Sequence, residues 1–210
     1  MADLPVDLPS DLAQRLRVAL DVEGKIPRAL DALGPIRDRD VALVGADGGS
    51  RAALLTDLGA RVRIVEPNGA NGYGLPTASC DALVSCWDAF RGVDPDEVAE
   101  AERVLRPGGR MLVVHDYGRD DVSRLYEGGA ERPEYGAWSR RDGPFLQAGF
   151  RVRVVHCWWT FESVETAREF VGAAFGDPGR RFAADLARPR LSYNVAIYHR
   201  TVGEAATNSG

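Results

Sequence analysis

The sequence predicts an α/β fold built on a mostly parallel, twisted β-sheet. Three observations support this prediction. The continuous apolar run from Val41 to Val44 is typical of a strand that is covered on both faces. A glycine-rich turn follows this run and leads directly into a helical segment, residues 51–58. At 210 residues, the chain is also long enough for one sizeable α/β domain and short for two.

The charge of the chain narrows the classes of function that it can have. The formal net charge is −5, so no overall basic field attracts nucleic acid or an anionic membrane, and neither is expected as a partner. The single lysine, Lys25, does not follow the glycine-rich turn. A phosphate-binding P-loop is therefore not supported.

The cysteines and the apolar segments indicate a compartment. Cys80, Cys86 and Cys157 are odd in number and lack CxxC spacing, which fits reduced thiols better than disulfides or a zinc site, so no metal is expected. No run approaches the ~18 apolar residues of a membrane span. The first residues also lack the basic and apolar regions of a signal peptide. We therefore expect a cytoplasmic location.

The first 37 residues are predicted to form an N-terminal helical cover over the sheet or its cleft. Ser10 is a plausible N-cap, and Leu12, Leu16 and Leu20 follow at the spacing of one helix face. A second, shorter helix is expected from Pro27 to Leu33, where glycine and proline end it.

Strands and helices alternate after the glycine-rich turn. Asp94 and Pro95, followed by an acidic first turn, are a strong helix start signal. Residues 158–190 are longer than a hairpin needs, and we interpret them as a lid or a dimer surface. Residues 201–210 are small and polar, which predicts a disordered tail. The predicted strands are residues 61–66, 80–86, 110–115, 151–157 and 191–198. The predicted helices are residues 51–58, 95–105, 162–175 and 180–186, and a short helix is also expected within Trp138–Ala148, broken near Gly143-Pro144.

The end of the second strand carries an acid that suits a nucleoside site. The separation from Gly45 to Glu66 is that of a βαβ nucleotide site, in which an acid at the tip of the second strand accepts hydrogen bonds from both ribose hydroxyls. The alternative is an ordinary solvated glutamate at a strand end.

Three segments together carry a resemblance to a known family. They are the glycine turn from Val41 to Gly49 with the acid Glu66, the loop and strand from Gly74 to Ser85, and the segment from Leu105 to Val114. Over about residues 38–200 the chain resembles the class I S-adenosylmethionine-dependent methyltransferases. Gly149-Phe150 before the penultimate strand also matches.

The resemblance implies a fold and a cofactor. The family has a three-layer, Rossmann-like fold with a seven-stranded sheet whose last strand is antiparallel. Its cofactor, S-adenosylmethionine, lies across the carboxyl ends of the first and fourth strands, where the strand order reverses. The cofactor-binding residues that the resemblance implies are Gly45, Ala46, Asp47, Gly48, Gly49, Glu66, Pro67, Cys86 and Trp87.

The glycine turn and the short interval after Glu66 both depart from the usual pattern of the family. Leu43 stands where the family usually has an acid, and Asp47 stands at the middle glycine of the turn. We hypothesise that Asp47 replaces the missing acid by pairing with the ammonium group of the cofactor; the alternative is that it crowds the methionine end. The interval from Glu66 to Asp81 leaves little room for the usual third strand. The adenine pocket is therefore expected to come from the loop Asn71–Ala78.

Polar and aromatic side chains follow the strands at the predicted site. His115 and Tyr117 are candidate catalytic residues, and His115 could act as a general base because its unperturbed pKa lies near neutrality. The alternative is a strand-end histidine bonded to the backbone. Aromatic side chains could line one pocket for a flat or apolar acceptor, or could pack in the core; they are Trp87, Phe90, Tyr135, Trp138, Trp158, Trp159 and Phe161.

The resemblance implies methyl transfer from S-adenosylmethionine to an oxygen, nitrogen or carbon nucleophile of a small molecule. A homodimer is the assembly we consider, because residues 158–190 could be a dimer surface. The alternative is a methyltransferase-fold protein that binds a ligand or partner without catalysis, which the departures at Leu43 and Asp47 would explain. A nicotinamide-dependent oxidoreductase is disfavoured because the glycine spacing differs from that class.

Overall fold

The computed structural model describes residues 4–34, 36–45, 49–66, 72–126 and 135–203. Within these ranges one sheet contains six strands. They are β1 (Asp40–Val44), β2 (Arg61–Val65), β3 (Cys80–Cys86), β4 (Leu105–Asp116), β5 (Arg151–Thr160) and β6 (Arg190–Thr201). Their order across the sheet is β2-β1-β3-β4-β6-β5.

The strand directions confirm the predicted α/β class with an antiparallel last strand. β1 pairs in parallel with β2 and with β3, and β3 pairs in parallel with β4. β6 is antiparallel to both of its neighbours, β4 and β5. The chain leaves β1 in one direction to form β2 and returns on the other side to form β3. An open sheet has a crevice at such a reversal.

Helices cover both faces of the sheet, as the burial of four successive β1 residues, Val41–Val44, requires. Val41 and Leu43 point into one apolar cluster, and Ala42 and Val44 point into the other. The first cluster is completed by α1 (Ser10–Ala19), α2 (Lys25–Leu33), α3 (Ser50–Asp57), α5 (Asp121–Tyr126) and α8 (Val164–Asp185). The second is completed by α4 (Pro95–Val104), α6 (Tyr135–Trp138) and α7 (Pro144–Gln147).

The N-terminal helices are part of the main core. Leu12 and Leu16 of α1 and Ile26 and Leu30 of α2 are buried in the same cluster as β1. The helix α1 begins at Ser10 with Pro9 as its N-cap, so Ser10 is the first helical residue and not the cap that we predicted. The short helix begins at Lys25, two residues before the predicted start.

The part of the chain that the structure describes holds six strands where the resemblance implied seven. Residues 72–79 form turns at the position where a third strand was not expected to fit. These turns are tied to α4, since the Ala78 N–H donates to the Arg103 carbonyl at 2.9 Å and the Arg103 guanidinium donates to the Leu75 carbonyl at 2.8 Å. The strand β2 is therefore an edge of the described sheet.

The strand β4 begins earlier than predicted because the Arg106–Gly109 turn is a bulge within it. Leu105 pairs with Cys80 and Arg110 pairs with Ala82, so the intervening residues are displaced from the ladder. Gly108, with φ 79°, makes this path possible.

The last third of the chain also differs in its boundaries. β5 continues to Thr160, so it overlaps the start of the proposed insertion at residues 158–190. α8 is interrupted at Gly176 (φ 60°, ψ −134°), which matches two successive predicted helices, and its Phe170 and Val171 are buried in the core. The role of this insertion as a lid or dimer surface stays a prediction. β6 runs to Thr201, and residues 204–210 of the predicted tail lie outside the described residues.

None of the helices that the structure describes combines the length and the apolar character needed to cross a membrane.

Candidate functional site

The carboxyl ends of β1, β2, β3 and β4 lie along one rim of the sheet, with the crevice between β1 and β3. Parallel strands end at the same edge, so the residues that follow them are brought together by topology. Gly45 follows β1, Glu66 follows β2, Trp87 follows β3 and Tyr117 follows β4. The four positions that sequence reasoning placed at strand ends are therefore on the rim.

The glycine turn requires glycine at its first and last described positions. Gly45 has φ 64°, and its N–H donates to the Val65 carbonyl at 2.9 Å. Gly49 has φ 71° and is the N-cap of α3. A positive φ of this size disfavours residues with a side chain. Ala46, Asp47, Gly48 and Pro67 lie outside the described residues, so the hypothesis for Asp47 stays a prediction.

An acid that the sequence analysis missed lies against this turn. A Cβ atom placed on Gly45 would be 1.3 Å from Oδ2 of Asp88, so the carboxylate occupies the space beside the glycine. Asp88 is half-buried and comes two residues after the end of β3. An acid directly after a buried strand was the available signal, but only the fold brings it to the turn after β1.

The side chains of Cys86 and Trp87 belong to the interior. Cys86 is 5% exposed and Trp87 is 1% exposed. The Trp87 indole Nε1 donates to Oδ1 of Asp116 at 3.0 Å, and the Arg51 guanidinium lies 5.0 Å from the ring centre. Any contact of these two residues with a cofactor would therefore involve their main chain.

A buried carboxylate joins the ends of three strands. Asp116, the last residue of β4, is 6% exposed and accepts hydrogen bonds from Trp87 and from the Tyr193 hydroxyl on β6. Burial raises the pKa of Tyr193 well above its usual value, and the nearby Asp116 charge adds to this shift. The arrangement fixes the backbone where β3 enters the crevice. Trp87 has φ 57°, which is unusual for a residue with a side chain.

His115 lies inside the protein, one residue before the rim. Its ring is fully buried and packs edge-on against Trp138, with ring centres 4.9 Å apart, and also contacts Phe145. Burial, together with the charge of Arg91, lowers the pKa of His115 to about 3, so the ring is neutral at physiological pH. This geometry favours the structural alternative for His115. Its role as a general base stays a prediction that this burial does not support.

Tyr117 remains at the rim as expected. Its ring is half-buried, its N–H donates to the Asn194 carbonyl at 2.9 Å, and its hydroxyl accepts from Arg119 at 3.4 Å. The Arg119 guanidinium also lies 5.5 Å from the centre of the ring. Of the two catalytic candidates, Tyr117 is the one that a bound molecule could reach.

A cavity of about 510 Å³ lies beside Asp88. It is bounded by the turn at Gly72 and Tyr73, the loop after β3 and the first turns of α4. This location agrees with the expected pocket formed by the Asn71–Ala78 loop, although Asn71 lies outside the described residues. Its charged lining consists of Asp88, Arg91, Asp94, Asp96, Glu97 and Glu100.

The lining of this cavity is strongly acidic. Glu97 accepts a hydrogen bond from the Phe90 N–H at 2.9 Å, and burial raises its pKa. Glu100 accepts a hydrogen bond from the Tyr73 N–H at 2.9 Å and forms a salt bridge with Arg103, so its charge is already balanced within the protein. The Tyr73 hydroxyl is buried and has no hydrogen-bond partner among the described residues. A ligand with donor or cationic groups would suit this lining.

Five of the seven aromatic residues that we considered for a single pocket lie in two separate clusters. Trp87, Trp159 and Phe161 belong to the cluster on one face of the sheet. Phe90 and Trp138 belong to the cluster on the opposite face. The sheet separates the two groups, which supports the core-packing alternative for these five side chains.

Glu66 is exposed at the end of β2. This position agrees both with a role in binding ribose hydroxyls and with an ordinary solvated glutamate. Leu43 is 1% exposed within β1, so it contributes to the core. Among the residues that the structure describes, no group of three or more histidine, cysteine or acidic side chains could hold a metal ion.

Comparison with known proteins finds similarity in structure. No protein-family model matches the sequence, and no curated protein sequence matches it. A protein assigned as a type II methyltransferase from Anaeromyxobacter dehalogenans is 19% identical, with a TM-score of 0.57 over 84% of this chain and 95% of that chain. An S-adenosylmethionine-dependent methyltransferase from Aquifex aeolicus is 16% identical, with a TM-score of 0.52 over 94% of this chain and 100% of that chain.

A third similar structure comes from a protein complex. A chain from the Haloferax volcanii complex between the Trm112 methyltransferase activator and a protein assigned as a methyltransferase is 15% identical. Its TM-score is 0.52, over 93% of this chain and 96% of that chain. At these identities the similarities show the fold, which is the three-layer, Rossmann-like fold of methyltransferases.

Proposed function

We propose that this protein is an S-adenosylmethionine-dependent methyltransferase that acts on an oxygen, nitrogen or carbon nucleophile of a small molecule. The observation that carries the proposal is the crevice between β1 and β3. At this crevice Gly45 has a positive φ, and the Asp88 carboxylate fills the place that a side chain at position 45 would need. A ligand can therefore approach the backbone of Gly45 closely. Glu66 and Asp88 place carboxylates near the same rim.

The residues present fit the proposed cofactor. S-adenosylmethionine carries two cationic groups, a sulfonium and an ammonium, together with ribose hydroxyls that donate hydrogen bonds. Carboxylates are suitable partners for all of these groups. When bound, the cofactor supplies a methyl group activated by the sulfonium for in-line displacement.

The protein's own contribution would be to bind, orient and exclude water. We propose that Glu66 accepts from the ribose hydroxyls and that Gly45 and Gly49 allow the close approach of the backbone. The hydrogen bonds from Trp87 and Tyr193 to Asp116 hold the rim of β3 and β4 in place. Tyr117, half-buried on that rim, would contact the acceptor.

A binding protein without catalysis is the second candidate. The burial of His115 favours it, because that burial removes one of the two candidate catalytic groups from the rim. Methyl transfer depends mainly on positioning, so the loss of a base does not by itself exclude catalysis.

Thermal unfolding with and without S-adenosylmethionine tests the proposal. A ligand present at 100 times its dissociation constant stabilises the native state by about 2.7 kcal/mol. For a domain of this size that gain corresponds to a rise in melting temperature of roughly 5–10 °C. A rise with the cofactor and with its product supports the proposed function, and no rise at millimolar cofactor would count against it.

A release assay then separates the two candidates. Production of S-adenosylhomocysteine in the presence of a panel of small-molecule nucleophiles would support catalysis, while cofactor binding without turnover would support the binding protein. We also propose a cytoplasmic location, in which the thiols of the three buried cysteines would stay reduced. Light scattering decides whether the protein forms the homodimer that remains our proposal.

A further inference from the structure

The carboxylate of Asp88 lies against Gly45, the first residue of the glycine turn. Its Oδ2 atom is 1.3 Å from the point where a Cβ of Gly45 would lie, so the carboxylate contacts the backbone of the turn directly. The contact crosses the crevice, because Gly45 follows β1 and Asp88 follows β3. A ligand that enters the crevice next to Gly45 must therefore meet this side chain.

The loop that carries Asp88 is held in position from both sides. The Arg91 guanidinium donates to the Trp87 carbonyl at 2.6 Å and to the Asp88 carbonyl at 3.2 Å. The Ala89 N–H donates to the Ser85 hydroxyl at 3.0 Å, and Trp87 and Phe90 adopt positive φ values of 57° and 61°. A backbone fixed in this way places the carboxylate before a ligand arrives.

The charges around Asp88 favour a cation. The cavity beside it is lined by five carboxylates and one guanidinium, that of Arg91. The Arg91 guanidinium donates to the backbone carbonyls of Trp87 and Asp88. Leu43, at the position where an acid is usual in the resembling family, is a core residue with 1% exposure and offers no charge to the crevice. Asp88 supplies a negative charge directly against Gly45.

We infer that the Asp88 carboxylate, and not Asp47 as hypothesised from the sequence, binds the α-ammonium group of the cofactor's amino-acid part, and so supplies the charge that Leu43 does not. This inference rests on the proposed function. An ammonium group offers N–H donors for a charge-assisted hydrogen bond, whereas the sulfonium offers none. The ammonium is therefore the cation that a carboxylate held against the turn recognises by hydrogen bonding.

Calorimetric titration of two ligands tests the inference through binding alone. S-adenosylhomocysteine carries the amino-acid part, and 5′-methylthioadenosine lacks it. For Asp88→Asn we expect S-adenosylhomocysteine to bind at least about 10-fold more weakly, while 5′-methylthioadenosine changes by less than about 2-fold. Asp57→Asn, which removes an exposed carboxylate at the end of α3 and outside this cavity, is the matched control and should leave both affinities unchanged.

Each other outcome overturns the inference. Unchanged binding of S-adenosylhomocysteine to Asp88→Asn would exclude Asp88 as the ammonium site, and equal weakening of both ligands would assign it a structural role. If the wild-type protein binds neither ligand, the proposed function fails together with the inference. If Asp88→Asn does not fold, we measure the affinity of the wild-type protein for S-adenosylhomocysteine and for its deaminated analogue. Equal affinities for the two ligands would overturn the inference.

Discussion

Gly45 is a position where both the backbone and the surroundings exclude a side chain. Its φ is 64°, and the carboxylate of Asp88 fills the place of a Cβ. Gly74 has the same φ of 64° but nothing within 4 Å of a Cβ. A comparison of the two positions therefore separates the cost of the backbone conformation from the cost of the clash with Asp88. We expect Gly74→Ala to lower the free energy of unfolding by about 1–2 kcal/mol, the cost of the left-handed conformation.

Gly45→Ala should lower the free energy of unfolding by more than Gly74→Ala, because the added methyl group must also displace Asp88. Urea unfolding of both variants and the wild type measures the difference. Equal effects in the two variants would show that the turn has room for a side chain.

His115 makes the stability of the protein depend on pH. Its pKa in the folded protein is lowered to about 3 by burial, while an unfolded histidine titrates near ~6.5. Between these values the unfolded chain binds the proton and the folded protein does not. Stability is therefore fully present above pH ~6.5 and is lost as the pH falls, by at most about 1.4 kcal/mol per pH unit.

The variant His115→Phe removes this titration and keeps a buried ring. Its unfolding free energy should fall less steeply than that of the wild type between pH 6.5 and pH 4, as measured by urea unfolding at several pH values. Parallel curves for the two proteins would contradict the predicted burial of a neutral imidazole.

An individual site residue could be predicted from the sequence when it comes directly after a predicted strand. Gly45 and Glu66 are separated by one helix, so their spacing already places them on one edge. The contact of Asp88 with Gly45 depends on how β1 pairs with β3, and the bonds to Asp116 come from residues far apart in the chain. Such contacts leave no local pattern in the sequence.

At the scale of elements, β6 carries two buried tyrosines with different partners. The Tyr193 hydroxyl donates to the Asp116 carboxylate, and the Tyr198 hydroxyl pairs with the Ser139 hydroxyl at 2.9 Å. Because hydrogen bonds to charged groups are stronger, Tyr193→Phe should lower the free energy of unfolding by about 1.5–3 kcal/mol. Tyr198→Phe, on the same strand, should lower it by about 0.5–1.5 kcal/mol.

Chemical denaturation of the two variants gives this comparison. A cost for Tyr198→Phe that equals or exceeds the cost for Tyr193→Phe would mean that Asp116 does not hold the strand ends together as described.

Elements with strong local signals were predicted well. Asp94 accepts a hydrogen bond from the Asp96 N–H at 2.8 Å, which confirms the predicted cap of α4, and β3 has the predicted bounds. The buried position of His115 was not predictable, because α6 and α7, which cover it, have four residues each and no detectable period. Short helices of this kind are set by tertiary packing.

At the scale of the whole molecule, the N-terminal helices and the sheet share one core. Leu16 of α1 is fully buried in the cluster that contains β1, whereas Val18 on the same helix is 71% exposed. Leu16→Ala should lower the free energy of unfolding by about 2–5 kcal/mol, and Val18→Ala should change it by less than about 0.5 kcal/mol.

The unfolding transition should also remain single when it is followed by far-ultraviolet circular dichroism and by tryptophan fluorescence. Two separate transitions, or a small effect of Leu16→Ala, would show that the helical cover folds independently of the sheet.

The fold class was predictable because the strand, turn and helix signals agree along the chain. The family pattern implies seven strands, whereas the described residues contain six. The short interval between β2 and β3 indicated this difference in advance. What the sequence alone did not give is which face of the sheet each aromatic residue occupies, because that depends on the exact register of each strand.

The strand order has a consequence for the biosynthesis of the protein. β6, made last of the six strands, lies between β4 and β5, and its Thr201 pairs with Arg110, 91 residues earlier in the chain. While the chain is still emerging from the ribosome, β4 has an open edge and β5 lacks the strand that it pairs with. Unpaired edges promote aggregation, so the period before residues 190–201 emerge is when the nascent chain most needs protection by chaperones.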